Sequence, residues 1–130
     1  MKNVEFQEFF QRYIAVLNAH EFQRLPEFMH ENLVVNGQAI LRDQMIAQLQ
    51  DHVVAVPDLV WHVEDSVVKD DRVAAYFRNH GTPVREWLGA QPTGAAVEYA
   101  EHLFHKVRNG RFYELNFLLD ACSVRKQLGQ

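Results

Sequence analysis

Asn109-Gly110, set between two runs of alternating polarity, constrains the fold of this chain more than any other feature. Both residues tolerate the positive φ of a type I′ turn, so residues 97–107 are expected to pair with 111–119 as an antiparallel hairpin. Alternation sorts side chains onto two faces of a strand. Val97, Tyr99, Glu101, Leu103, His105 and Val107 share one face, and Ala96, Glu98, Ala100, His102, Phe104 and Lys106 the other. After the turn, Tyr113, Leu115, Phe117 and Leu119 fall together, opposite Phe112, Glu114, Asn116 and Leu118. The odd-numbered face is the more apolar in both runs and is read as the core side. Glu101 and His105 interrupt it on either side of Leu103.

Upstream, the period is helical first. Phe6, Phe9, Phe10, Tyr13, Ile14 and Leu17 form one apolar stripe, which predicts a helix over Val4–Ala19. A short helix is expected over Glu21–Met29, with Pro26 tolerable only in its first turns, then a strand over His30–Val35 ended by Asn36-Gly37. A third helix turns Leu41, Met45, Ile46, Leu49 and Val53 inward and stops before Pro57. From Leu59 the period becomes two. Leu59–Val68 and Val73–His80 read as strands separated by Lys69-Asp70-Asp71. Residues 81–94 read as loop, and 121–130 as a polar tail with one helical turn. Helices first and an antiparallel meander second argue for an α+β fold.

Composition excludes several classes of function. Thirteen basic residues are scattered among seventeen acidic ones, giving a formal charge of −4 and no basic stripe for nucleic acid. No apolar run is long enough to span a bilayer, and the N-terminus reads as an amphipathic helix, not a signal peptide. A single cysteine, Cys122, suits a reducing cytoplasm and has no visible base to make it a nucleophile. With 130 residues, 48% of them hydrophobic, one compact domain spanning 1–130 is expected. His102 and His105 point to opposite faces of a strand, so no metal site is expected there. His20, His30, His52 and His80 read as solvated.

The layout and several segments resemble the SnoaL-like polyketide cyclase (predicted ester cyclase) family, within the nuclear-transport-factor-2-like, cystatin-like superfamily. The segments are RYIAVLNAHEF at 12–22, Leu41-Arg42-Asp43, Val56-Pro57-Asp58-Leu59, WLGAQPTG at 87–94, and VRNGRFYE, LLD and RKQLG within 107–129. The resemblance implies a cone of three N-terminal helices packed on a strongly curved, mixed, largely antiparallel sheet. It also implies a small apolar or carbonyl-containing ligand, no cofactor and a homodimer. The positions that the family gives to an acid or histidine and to its catalytic aspartate fall on Leu103 and Phe117. The base of the related steroid isomerases falls near Asn36-Gly37. Their hydrogen-bond-donating tyrosine is matched by Tyr13.

Candidate site residues follow from these two readings. Glu101 and His105 share a face, and a carboxylate with an imidazole suits general acid–base work. Pairing would hold the Glu ionised; burial without pairing would raise its pKa. Tyr13 is read as the donor to a developing enolate, and Asp120 matches a family aspartate where a helix cap or salt bridge would serve equally. Asn36, Phe77, Leu103, Leu115 and Phe117 are expected to line the pocket. The function implied is cofactor-free chemistry on a carbonyl compound: cyclisation, isomerisation or dehydration. The other reading is a non-catalytic ligand-binding or dimerisation module that has lost the family's catalytic residues. Tyr76, His102, Phe104 and Leu118 leave an aromatic, apolar outer face, which also points to a homodimer.

Overall fold

In the computed structural model, which describes all 130 residues, the hairpin lies inside a larger mixed sheet. The six strands are β1 (Met29–Val35), β2 (Gln38–Leu41), β3 (Val63–Lys69), β4 (Arg72–Gly81), β5 (Val97–Arg108) and β6 (Arg111–Leu119). Their spatial order is β2-β1-β6-β5-β4-β3. Only β1 and β6 run parallel; β3 to β6 form the expected antiparallel meander. Helices α1 (Asn3–Asn18) and α2 (Arg42–Ala55), with a 3-10 segment over Phe22–Glu27, pack on the sheet. A third helix, α3 (Ala121–Gln127), closes the chain. The architecture is therefore α+β, and 33 buried apolar residues form one core cluster. No helix is long and apolar enough to cross a membrane.

The turn chemistry explains the strand count. Asn109 and Gly110 have φ of 50° and 77°, as a type I′ turn requires, and Asn36-Gly37 repeats the pattern at 49° and 82°. Asn36-Gly37 thus does more than end β1: it returns the chain as β2, a short edge strand not expected from sequence. Three further expectations are corrected. The short second helix is a 3-10 segment, the regular part of β3 begins only at Val63, and the polar tail is the two-turn helix α3. Leu41, expected inside, is half exposed beside the start of α2.

A β-bulge corrects the facing of the hairpin. Lys106 pairs with Glu114 while Val107 pairs with Phe112, which leaves Tyr113 as the extra residue on β6. Phe112 therefore turns inward and is fully buried, and Tyr113 lies half-buried under Arg108, whose guanidinium sits 3.9 Å from the ring centroid. Phe112 anchors an aromatic cluster with Phe9, Tyr13 and His105, at ring separations of 5.1, 5.1 and 5.2 Å. This cluster joins α1 to the inner face of β5 and β6.

Gly81 ends β4 against α2. A Cβ there would lie 2.4 Å from Cγ1 of Val56, a fully buried side chain without room to retreat. Gly81→Ala is expected to cost about 1–3 kcal/mol by overpacking, read as a lower denaturant midpoint with an unchanged slope.

Candidate functional site

Strand pairing sets the site in rows on the inner face. Phe77, Glu101 and Leu119 lie side by side across β4, β5 and β6; Ala75, Leu103 and Phe117 form the next row, and Val73, His105 and Leu115 the third. Asn79 and Tyr99 form the row before them. Helix α1 covers this face with Tyr13, Ile14 and Leu17, and α2 contributes Met45, Gln48, Leu49 and His52. Between them is a mainly apolar cavity. Its empty space, counted out to the mouth, is about 580 Å³.

The structure brings Tyr13, Glu101, His105, Phe77, Leu103 and Phe117 round this cavity. Asn36, Leu115 and Asp120 do not line it. Asn36 is exposed at the β1–β2 turn and accepts a hydrogen bond from the Phe117 amide at 2.9 Å. Leu115 is buried in the core, and Asp120 caps α3 by accepting from the Ser123 amide at 3.0 Å.

Glu101 is 8% exposed, and one oxygen accepts from Asn79 Nδ2 at 2.7 Å. Asn79 is itself fixed, because its Oδ1 accepts from the His62 backbone amide at 3.0 Å. A flipped amide would face both partners with the wrong atom, so the Asn79 donor always points at Glu101. Burial raises the Glu101 pKa to about 7, and the Asn79 bond only partly offsets it. The other carboxylate oxygen has no protein partner and is not sealed from solvent-sized space, so it opens on the cavity.

His105 takes the opposite shift. Burial lowers its pKa to about 4. The Asn116 amide donates to Nδ1 at 3.2 Å, so the neutral ring carries its proton on Nε2. No ion pair joins Glu101 to His105; of the two expected outcomes, burial without pairing is the one found. Tyr13 stays protonated, its pKa raised by burial first and then by the Glu101 charge, and its hydroxyl has no protein partner. Tyr99 shifts the same way for the same reasons. The cavity thus holds one carboxyl group that titrates near neutrality among several neutral donors.

Several contributors escaped the sequence reading. Tyr99 was visible as the same-face neighbour two residues before Glu101. Asn79 was visible only as the polar end of the β4 inner face. His52, read as solvated, lines the cavity instead, one turn after Leu49 on the inner stripe of α2. Asn18 clamps the cavity-lining Trp61, accepting from its amide at 2.8 Å and donating to its carbonyl at 2.9 Å. The segments 87–94 and 125–130 meet in space: Arg125 donates to the Leu88 carbonyl at 3.2 Å, and Gln130 bonds both backbone groups of Gln91. No group of three or more His, Cys, Asp and Glu side chains is arranged to hold a metal ion.

Comparison with known proteins agrees with this architecture. A family model for SnoaL-like polyketide cyclases matches residues 7–128. A SnoaL-like polyketide cyclase of Agrobacterium tumefaciens superposes with a TM-score of 0.89 at 24% identity, over 99% of this chain and 100% of that one. IdmH of Streptomyces antibioticus, a candidate polyketide cyclase, gives 0.85 at 24% identity, over 95% and 98%. AclR of Streptomyces galilaeus, a candidate hydroxylase, gives 0.86 at 20% identity, over 98% of both chains. At these identities the likeness fixes the fold alone, and its bearers differ in chemistry. No curated protein matches the sequence significantly.

Proposed function

The chain belongs to the SnoaL-like polyketide cyclase family, and we propose that it binds a small carbonyl compound and moves protons on it by side-chain chemistry alone. One observation carries this reading: Glu101, held by Asn79 and titrating near pH 7, opens on a cavity otherwise lined by apolar groups and neutral donors. A base matched to neutral pH is what proton abstraction beside a carbonyl requires.

In this proposal the Glu101 carboxylate takes a proton from the carbon next to the carbonyl. The negative charge moves to the enolate oxygen, where Tyr13 O–H and His105 Nε2–H donate to it. For cyclisation, the enolate carbon attacks a second carbonyl carbon of the same molecule. One C–C bond forms, the second C=O π pair becomes an alkoxide, and the Glu101 carboxylic acid returns the proton to it. For isomerisation the same proton returns to another carbon. The competing reading, a binding module, is favoured by Leu103 and Phe117, apolar cavity walls at the family's catalytic positions.

Heptane-2,6-dione, a small diketone able to close to a methylcyclohexenone, separates the two. In D2O the protein is expected to speed deuterium uptake at the α-carbons; a binding module would bind the diketone while exchange stayed at the buffer rate.

We propose that the outer face makes the homodimer. Leu118 is 77% and Phe104 42% exposed, beside a stacked Tyr76–His102 pair at 5.0 Å. Light scattering at micromolar concentration is expected to give near twice the chain mass of 15.2 kDa, and Leu118→Lys with Phe104→Glu to return it to one. A wild-type monomer would contradict this. The exposed, unpaired Cys122 is in keeping with a reducing cytoplasm.

A further inference from the structure

The α2 wall of the cavity carries a polar group that the proton-transfer chemistry above leaves unused. His52 stands one turn beyond Leu49, with its ring lining the cavity. Its Nδ1 accepts from the indole Nε1–H of Trp87 at 2.9 Å, and the two rings meet edge to face at 6.0 Å. An indole nitrogen only donates, so Nδ1 must carry the lone pair and Nε2 the proton. Nε2 has no protein partner, yet it is not a sealed, unpaired atom. A fixed donor is left facing open space.

The surroundings hold this donor in place. Trp87 packs edge to face on Tyr99 at 5.4 Å, so it links His52 to the strand that bears Glu101. It begins a two-residue turn closed by paired backbone bonds with Ala90. Inside that turn Leu88 has φ of 53°, a conformation unfavourable for a bulky side chain. The Arg125 bond to the Leu88 carbonyl and the Gln130 bonds to Gln91 tie the turn to the end of the chain. Backbone strain is thus kept at the residue after the one that orients His52. Burial keeps the imidazole neutral, opposed by the Asp51 charge.

We propose that His52 is a second ligand-binding donor, which holds a second oxygen of the substrate at the α2 wall, with Trp87 as its positioning residue. The site then recognises a compound with two separated acceptor oxygens, one at the Tyr13–His105 end and one at His52. This rests on the reading of the cavity given above, but it concerns binding and does not require turnover.

The test compares heptane-2,6-dione with heptan-2-one, which lacks the second oxygen, by ligand-observed NMR. Wild type is expected to bind the diketone roughly tenfold more tightly, the worth of one hydrogen bond. His52→Leu should bring the ratio to near unity, and His52→Gln, which can both accept from Trp87 and donate, should restore it. His52→Leu with Trp87→Phe leaves no unpaired indole and gives the same answer if the single variant folds poorly. Nitrogen-15 spectra of the His52 ring should show the proton on Nε2 in wild type and a mixture of tautomers in Trp87→Phe. A ratio unchanged by both leucine variants, equal affinities in wild type, or no binding of either ketone at millimolar concentration overturns the proposal. Preference lost with His52 but no deuterium uptake in wild type would sink the proton-transfer reading and leave the His52 site standing.

Discussion

Glu101→Gln is expected to lower the rate of α-proton exchange in a bound diketone by about 10²–10⁴-fold while its affinity stays within about threefold. The isostere keeps the volume of the side chain, and its amide oxygen can still accept the Asn79 bond that Glu101 accepts at 2.7 Å. Only the base is removed. Neither Tyr13 nor His105 can take over, since burial holds the first as a neutral phenol and the second as a neutral imidazole with its Nδ1 lone pair already occupied. The measurement is deuterium uptake at saturating ligand, with affinity read separately. Exchange in the variant within a factor of three of wild type would remove Glu101 from the chemistry and favour the binding module.

Much of the frame is legible in the sequence because it depends on local rules. The Asn109-Gly110 turn and the alternation of 97–107 place Tyr99, Glu101, Leu103 and His105 on one face without tertiary information, and all four line the cavity. Beyond the turn the same rule breaks, because a bulge inserts Tyr113 and exchanges the roles of Phe112 and Tyr113. A bulge is one extra residue in a pairing register, and a single sequence does not display its partner strand. His52 was missed for a related reason. Its place on the α2 stripe follows from helical spacing, but only the arrival of Trp87 from a distant loop decides whether a histidine there is solvated or held.

Asn79 shows where pattern reading stops. It continues the inner face of β4 after Phe77, where a polar residue reads as the strand emerging into solvent. Instead it is fully buried, since the His62 amide and the Glu101 carboxylate use both ends of its side chain. A buried polar residue is tolerated when each group finds a partner, and those partners lie 17 and 22 residues away. The family resemblance did not supply the site either. Its catalytic positions fall on Leu103 and Phe117, while Glu101 lies beside Leu119 in the neighbouring row. The ionisable group therefore occupies a different row of the same face.

The opposed shifts of Glu101 and His105 give a stability signature. Glu101 has a folded pKa of about 7 against an ordinary 4.5, so its contribution is fully present below pH 4.5 and is lost as pH rises to 7. His105 has a folded pKa of about 4 against 6.5, so its contribution is present above pH 6.5 and is lost as pH falls to 4. Each shift is worth about 3 kcal/mol. Between pH 4.5 and 6.5 the two offset each other in wild type. Glu101→Gln removes one side of the balance: relative to wild type, its stability should rise by about 3 kcal/mol between pH 4.5 and 7 and hold steady above. His105→Gln should mirror it, gaining about 3 kcal/mol relative to wild type as pH falls from 6.5 to 4. The partly buried His52 and Glu114 and the exposed Asp58 also titrate with lowered pKa values, but they are common to all three proteins and cancel in the differences. Denaturant unfolding of the three proteins from pH 4 to 8 measures both curves. Two flat differences would mean that neither group is desolvated in the folded protein, and the cavity would then be wetter than its walls imply.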